Sequence, residues 1–276
     1  MSTLDMYRVT DKLDDTTLAA LVTRLEARGQ HPRFIAMMND YLAAMSIPSA
    51  RSVLDLGCGT GVVARAVATT PGFAGRVTGI DVSPYLIEAA TRLAKKEHID
   101  QDVDFRTGDS QALHLADASY DAVIAHTLLS HVESPLAVLK EIFRIVRPGG
   151  MVGIFDGDYA SMTFENADPT KGKADDEKII KAIVTNPRVM RQMPQLLREA
   201  RFDLTNSFSY VVADIGKADF WATAMQSFVR LLPKAGAMTD REANDWADAM
   251  FSRSDRGIFF GASNYYSFVV RRPRLL

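Results

Sequence analysis

The stretch Val53-Leu54-Asp55-Leu56-Gly57-Cys58-Gly59-Thr60-Gly61 decides the fold. Its opening is the short apolar run of a buried parallel strand, and three glycines separated by small residues follow. Residues 62–68 then have helix-compatible spacing. Strand, glycine turn and helix open a βαβ unit, whose turn lets a ligand approach the backbone closely. No β-carbon stands in the way at Gly57, Gly59 or Gly61, and the start of the next helix offers unpaired N–H groups.

The spacing selects the ligand. A dinucleotide fingerprint reads G-x-G-x-x-G, whereas Gly57, Gly59 and Gly61 give G-x-G-x-G with the acidic Asp55 two positions earlier. No G-K-[ST] ending follows, which excludes a phosphate-cradling P-loop. The string LDLGCGTG resembles the first motif of class I methyltransferases that use S-adenosylmethionine, and a nicotinamide enzyme ranks well behind.

Around this turn the chain is ordinary for a globular α/β protein. Its 276 residues suffice for one large domain, and the formal net charge of −2 supplies no electrostatic case for nucleic acid. One cysteine, Cys58, excludes an intrachain disulfide framework and fits a reducing cytoplasm. Residues 1–15 are polar and acidic, unlike a signal peptide, and no run reaches membrane-spanning length, so a cytoplasmic location without a membrane partner is expected.

Upstream of the turn, Leu18, Leu21, Val22 and Leu25 recur at helical spacing, with Arg24 and Arg28 on other faces, up to a stop at Gly29. His31 reads as a solvated loop residue, and a second helix runs from about residue 34 to 45. Downstream, residues 76–81 read as the second strand and end in Asp81. This architecture places a ribose-binding carboxylate there, with Val82 and Leu86 close to the adenine. Residues 103–110 read as a third strand ending in Gly108-Asp109-Ser110. In the resembled family an acidic residue after this strand receives the adenine amino group, and Asp109 matches it, with Ser110 beside it. Residues 119–126 form the fourth strand. They lead into Thr127-Leu128-Leu129-Ser130-His131-Val132, which resembles the family segment whose backbone, from His126 onward, runs beside the methionine part of the cofactor. An Arg147-Pro148-Gly149-Gly150 turn then enters the fifth strand, residues 151–155.

The resemblance thus covers roughly residues 50–157 in consistent order. It implies a Rossmann-like, seven-stranded, mostly parallel sheet with helices on both faces and additional cap helices. A single domain, 1–276, is expected, with residues 1–49 as an N-terminal helical cap and 50–157 as the cofactor-binding core. Residues 158–276 then supply the remaining strands, near 202–213 and 262–270, with helical lid insertions. Residues 156–161 read as a loop at the carboxyl end of strand five, and residues 168–176 as a turn-rich, mobile segment.

The family's chemistry needs an aligned acceptor and exclusion of water more than it needs a metal. The five histidines show no zinc spacing, and no metal site is assigned. The cofactor-binding set implied is Asp55, Gly57, Gly59, Gly61, Asp81, Val82, Leu86, Asp109, Ser110 and His126. His131, just past strand four, is the candidate base, against an equally weighted packing role, and Asp158 on the strand-five loop is the second catalytic candidate. Late aromatic residues such as Phe228, Trp246 and Tyr265 suit a flat organic acceptor, although most must be core. The resemblance is closest to small-molecule methyltransferases typified by quinone-biosynthesis enzymes, and a small, aromatic or polyketide-like methyl acceptor is expected. The alternatives are an RNA or protein methyltransferase, or a non-catalytic binder of the cofactor. The oligomeric state is open, a homodimer being one arrangement compatible with the sequence.

Overall fold

The computed structural model describes Asp5 and residues 7–274. Two helices, α1 (Asp15–Gly29) and α2 (Pro32–Ala44), precede β1 (Ser52–Leu56). The glycine turn leads into α3 (Val62–Ala68), followed by β2 (Arg76–Asp81), α4 (Pro84–Lys96), β3 (Val103–Thr107), β4 (Tyr120–His126), α5 (Pro135–Ile145) and β5 (Val146–Phe164). After these come α6 (Pro169–Ile183), α7 (Val189–Glu199), β6 (Asp203–Gly216), α8 (Ala222–Lys234), α9 (Asp240–Asp255) and β7 (Phe259–Arg271). Among the described residues no helix is long and apolar enough to cross a membrane.

The strands form one sheet in the order β3-β2-β1-β4-β5-β7-β6. The first five are parallel, and β7 runs antiparallel between β5 and β6. This is the seven-stranded, mostly parallel sheet expected. Strand order reverses at β1, which pairs with β2 on one side and β4 on the other. At such a switch point the connections diverge to opposite faces and leave a crevice at the carboxyl ends of the strands.

Alternation along the strands divides the core in two. Val53, Val77, Ala122 and Ile124 join α1, α2, α3, α6, α8 and α9 on one face. Leu54, Leu56, Val123 and Ile154 join α5 and α7 on the other. Both faces are covered, which is why β1 and β4 read as continuous apolar runs rather than alternating ones. The helix starts carry local signals: Asp14, Ser83, Ser134 and Asp168 accept backbone N–H bonds as N-caps, and Thr239 with Glu242 forms a capping box.

Three expectations are corrected. Residues 156–161 are not a loop, because β5 continues past the end of β4 against β7, pairing Asp156 with Tyr266 and Asp158 with Asn264 before a register shift. Their polar side chains hid the strand, since each carboxylate has a partner distant in sequence, Ser130 for Asp156 and Arg191 for Asp158, that the local pattern does not reveal. Residues 168–176 are not an irregular segment but the capped first half of α6. That helix is held by buried Ile179 and Ile183 and by Asp176, which accepts hydrogen bonds from the Thr163 hydroxyl at 2.8 Å and the Phe164 N–H at 3.2 Å. His31 is no solvated loop residue either. Its Nδ1 accepts the Arg33 N–H at 3.2 Å, making it the N-cap of α2, and its ring packs edge-on against Phe220.

Candidate functional site

The glycine turn is pinned from below. Gly57 and Cys58 donate to the Ile80 carbonyl at 2.8 and 3.0 Å, so β1 and β2 hold the loop between them. Gly57, Gly59 and Gly61 have φ of 72°, 53° and 78°, a region that disfavours any residue with a β-carbon. A Cβ on Gly61 would lie 2.5 Å from the Phe105 ring, whereas one on Gly59 would meet only Leu25, at 3.4 Å. Gly61 is thus glycine for packing, and Gly59 leaves backbone open to a ligand.

Asp55 lies beneath the turn, 1% exposed, and its Oδ2 accepts the Ala64 N–H at 3.0 Å, capping α3 in place of a side chain at Gly61. Burial pushes its carboxyl up to about 7, against the opposing pull of the Ala64 bond. Asp81, at the end of β2, accepts the Gly59 N–H at 2.9 Å and the Ser83 N–H at 2.9 Å, one on each oxygen. Burial raises its pKa while those backbone bonds pull it down. Each oxygen keeps a lone pair for a further donor, which is the capacity a pair of ribose hydroxyls requires.

A cavity of about 380 Å³ opens at the switch point. Gly57, Gly59, Asp81, Val82, Leu86, Asp109, Ser110 and His131 all line it. The ends of β1, β2, β3 and β4, separated by up to 70 residues of chain, therefore converge on one chamber of the size that small ligands occupy.

The remaining candidates do not line this chamber, although Asp55 and His126 line a recess of about 50 Å³ that shares Arg28, Gly57, Gly59 and Thr127 with it. Gly61 and Asp55 support the turn from behind. His126 is buried, its Nδ1 2.9 Å from the Tyr41 hydroxyl and its ring stacked on Phe155 at 4.4 Å. Burial, then the charge of Arg28, holds its pKa well below the ordinary histidine value, so it is neutral. The neighbouring Thr127 takes its place on the cavity wall, at φ 52°. Asp158 is 1% exposed and paired with Arg191 of α7 at 2.8–3.0 Å, away from the cavity. That pairing removes it from the reacting centre, and its expected catalytic role is withdrawn.

His131 is held by a residue far away in sequence. Its Nδ1 donates to the Asp5 carboxylate at 3.0 Å, and Asp5 is oriented in turn by the Thr185 hydroxyl at 2.9 Å and the Tyr7 N–H at 3.0 Å. Burial lowers the pKa of His131, but the charge and hydrogen bond of Asp5, with Asp156 behind, outweigh it and leave the pKa raised. Asp156, fully buried, accepts both the N–H and the hydroxyl of Ser130 at 3.0 Å and so fixes the turn that carries His131.

Among the lining residues, Tyr7, Arg24 and Arg28 escaped the sequence reading, whereas Thr127 and Leu128 belong to the segment expected beside the methionine part of the cofactor and Tyr159 to the segment expected at the carboxyl end of strand five. Arg28 donates to the Thr127 hydroxyl at 3.2 Å and lies over the Phe34 ring. A signal for the arginines existed. They sit one turn apart on α1, and neither has an acidic residue three or four positions away.

Comparison with known proteins agrees with this geometry. Residues 54–154 match a family model described as a methyltransferase domain. An uncharacterized protein in a transposon of Streptomyces fradiae is 30% identical over 83% of this chain and 65% of its own length. A 2-methyl-6-phytyl-1,4-hydroquinone methyltransferase of Synechocystis sp. is 34% identical over 45% of this chain and 39% of its own. The chain therefore spans less than two thirds of the length of these curated relatives. Among solved structures, the geranyl diphosphate C-methyltransferase of Streptomyces coelicolor aligns over 86% of this chain and 75% of its own, with a TM-score of 0.51 and 16% identity, a likeness of fold alone. With its strand order, its glycine turn and the match over residues 54–154, the chain carries a methyltransferase domain, and its fold is similar to that of the class I S-adenosylmethionine-dependent methyltransferases.

Proposed function

We propose that this protein transfers the methyl group of S-adenosylmethionine to a small, ring-bearing acceptor. The observation that carries the reading is the convergence of Gly57, Gly59, Asp81, Val82, Leu86, Asp109 and Ser110 on one cavity. Asp81 would receive the ribose hydroxyls, Asp109 with Ser110 the adenine amino group, and Val82 with Leu86 the faces of the base. Gly57 and Gly59 let the backbone approach the amino-acid end, where Arg28 and Thr127 meet. The bound cofactor supplies an already activated methyl on a sulfonium.

The chain's own work is to hold the acceptor in line, keep water out and remove a proton where the acceptor must lose one. His131 is suited to that last task. Its Nδ1–H is committed to Asp5, and among the described residues Nε2 has no hydrogen-bond partner, so the free nitrogen can accept from a ligand. Tyr7 and Tyr159 flank its ring at 5.2 and 6.3 Å and shield it from bulk water. A concave chamber of about 380 Å³ favours a metabolite over a polymer. We read residues 1–49 as a helical cap on the cofactor core within a single domain.

Calorimetry with S-adenosylhomocysteine and NADH, followed by transfer of labelled methyl to a metabolite library, tests the reading. Binding of the former, no binding of NADH, and label in a small product are expected. Failure to bind S-adenosylhomocysteine would overturn it, and binding without transfer to any acceptor would favour a non-catalytic role.

A further inference from the structure

Several arginines that pack into the fold are paired. Arg65 meets Glu26 and Glu97, Arg144 meets Asp117 and Glu141, Arg33 meets Asp214, and Arg191 meets Asp158. Arg272 lacks a carboxylate but donates to the carbonyls of Phe143, Arg144 and Val146. Arg24 and Arg28 both line the cavity, and among the described residues neither has a carboxylate within ion-pair distance. Two like charges one helical turn apart repel, and removal from water adds to that.

Their surroundings differ. Arg28 is beside Thr127 and the glycine turn, where the amino-acid end of the cofactor would lie. Arg24 is a turn further out, its guanidinium 5.3 Å from the centre of the Tyr7 ring and 5.7 Å from that of Phe228, and it makes no hydrogen bond to a described residue. The Tyr7 hydroxyl, buried and without a partner, lies in the same wall. Burial, then the charge of Arg28, lowers the Arg24 pKa to about 10, which leaves it a cation at neutral pH. An unpaired cation beside an aromatic ring, in a cavity that opens to ligand, is suited to an anion. The cofactor has one carboxylate, and of the three guanidinium groups in the chamber only that of Arg8, on Glu133, has a carboxylate partner among the described residues.

Building on the methyltransferase reading, we propose that Arg24 receives an oxyanion of the methyl acceptor, so that the substrate is an acidic, ring-bearing small molecule. Its ring lies against Tyr7, whose ring lines the cavity beside Arg24, and its acid group bonds the guanidinium, a pairing that Arg supports through paired N–H donors. Arg28 serves the cofactor.

The test uses the full chain and calorimetry. Wild-type protein is first titrated with S-adenosylhomocysteine; no binding would sink the methyltransferase reading itself. The saturated protein is then titrated with 4-hydroxybenzoate and 4-hydroxycinnamate and with the amide of each. At least one acid should bind tenfold or more tightly than its amide, and Arg24→Gln should erase that preference while Arg24→Lys keeps part of it. S-adenosylhomocysteine affinity should stay within twofold in Arg24→Gln but fall at least tenfold in Arg28→Gln, which should bind 5′-methylthioadenosine, lacking the amino-acid end, normally. The melting midpoint of ligand-free Arg24→Gln should equal or exceed that of wild type, because an uncompensated charge has gone. Equal affinity of wild type for acids and amides overturns the inference. A loss of S-adenosylhomocysteine in Arg24→Gln as large as in Arg28→Gln, or a lower melting midpoint, overturns it too and makes Arg24 a cofactor ligand or a structural cation respectively.

Discussion

The carboxylate of Asp5 receives the Nδ1 hydrogen of His131 at 3.0 Å, across 126 positions of chain. This bond fixes the ring orientation and leaves Nε2 as the nitrogen that can act on an acceptor. Burial works to lower the imidazole pKa, and Asp5 raises it above the ordinary 6.5 on balance. The sign follows: the pairing stabilises the fold fully below the unfolded-state pKa and is lost as pH rises through the folded value. For a base the neutral form is required, so transfer to a hydroxyl acceptor should rise with pH along a limb centred above 6.5. Asp5→Asn should move that limb to lower pH and reduce the plateau by about 10–100-fold, within the usual reach of general-base catalysis. Superimposable pH–rate profiles for wild type and Asp5→Asn would show that His131 is not the titrating group.

Asp81→Asn keeps the size of the side chain and removes its charge. The carboxylate already holds the Gly59 and Ser83 amides, and the amide replacement can serve only one of them as acceptor. Affinity for S-adenosylhomocysteine should fall by about 1.5–3 kcal/mol, the range for hydrogen bonds to charged groups. Calorimetry showing unchanged affinity would take Asp81 out of the site.

Alanine at Gly59 and at Gly61 should separate binding from stability. Both positions have positive φ, a cost of about 1–2 kcal/mol for a residue with a β-carbon. Gly61→Ala adds a methyl 2.5 Å from the Phe105 ring, and it should lose about 2–4 kcal/mol of stability in urea unfolding. Gly59→Ala places its methyl in open cavity, so it should lose little beyond the backbone cost yet bind S-adenosylhomocysteine at least ~10-fold more weakly, as an intruding methyl displaces the ligand. Equal losses of stability in the two variants would contradict the packing distinction.

Asp55 makes ligand-free stability depend on pH in an unusual direction. Its folded pKa of about 7 is above the unfolded value of 3.8, so the folded state binds the extra proton between them. Its contribution is therefore favourable at low pH and is lost as pH rises from about 4 to 7, amounting to about 2–4 kcal/mol. Asp55→Asn should remove this component, and the stability difference between variant and wild type should shift in the variant's favour across that interval. Denaturant unfolding at several pH values measures it, and a difference that does not change with pH would mean that Asp55 ionises normally.

The cavity lining at the carboxyl ends of the strands was legible because its parts are local. A strand, a glycine turn and a helix are contiguous, and a parallel sheet brings the carboxyl ends of its strands to one edge. Gly57, Asp81 and Asp109 could therefore be placed by their order alone. The choice between His126 and Thr127 was not legible in this way. Neighbouring strand residues face opposite sides, and the one that reaches the cavity depends on β4 ending opposite Phe155. Asp158 was misread for a related reason, since its partner Arg191 belongs to a helix 33 positions later.

By itself the sequence determined the order of the strands' chemistry: where the glycines break, where the carboxylates end the strands, and which family that series matches. Only the tertiary structure decided what completes the cavity wall. β5 extends past β4 because β7, about a hundred positions later, pairs with it, and this extension carries Tyr159 to the cavity. Asp5 reaches His131 and Arg24 enters an aromatic wall because the N-terminal segment folds back over the sheet edge. Short-range pattern records the conformation of a segment and which face it buries. It does not record which distant segment will supply a charge its partner, because that pairing is set by packing between elements that share no local signal.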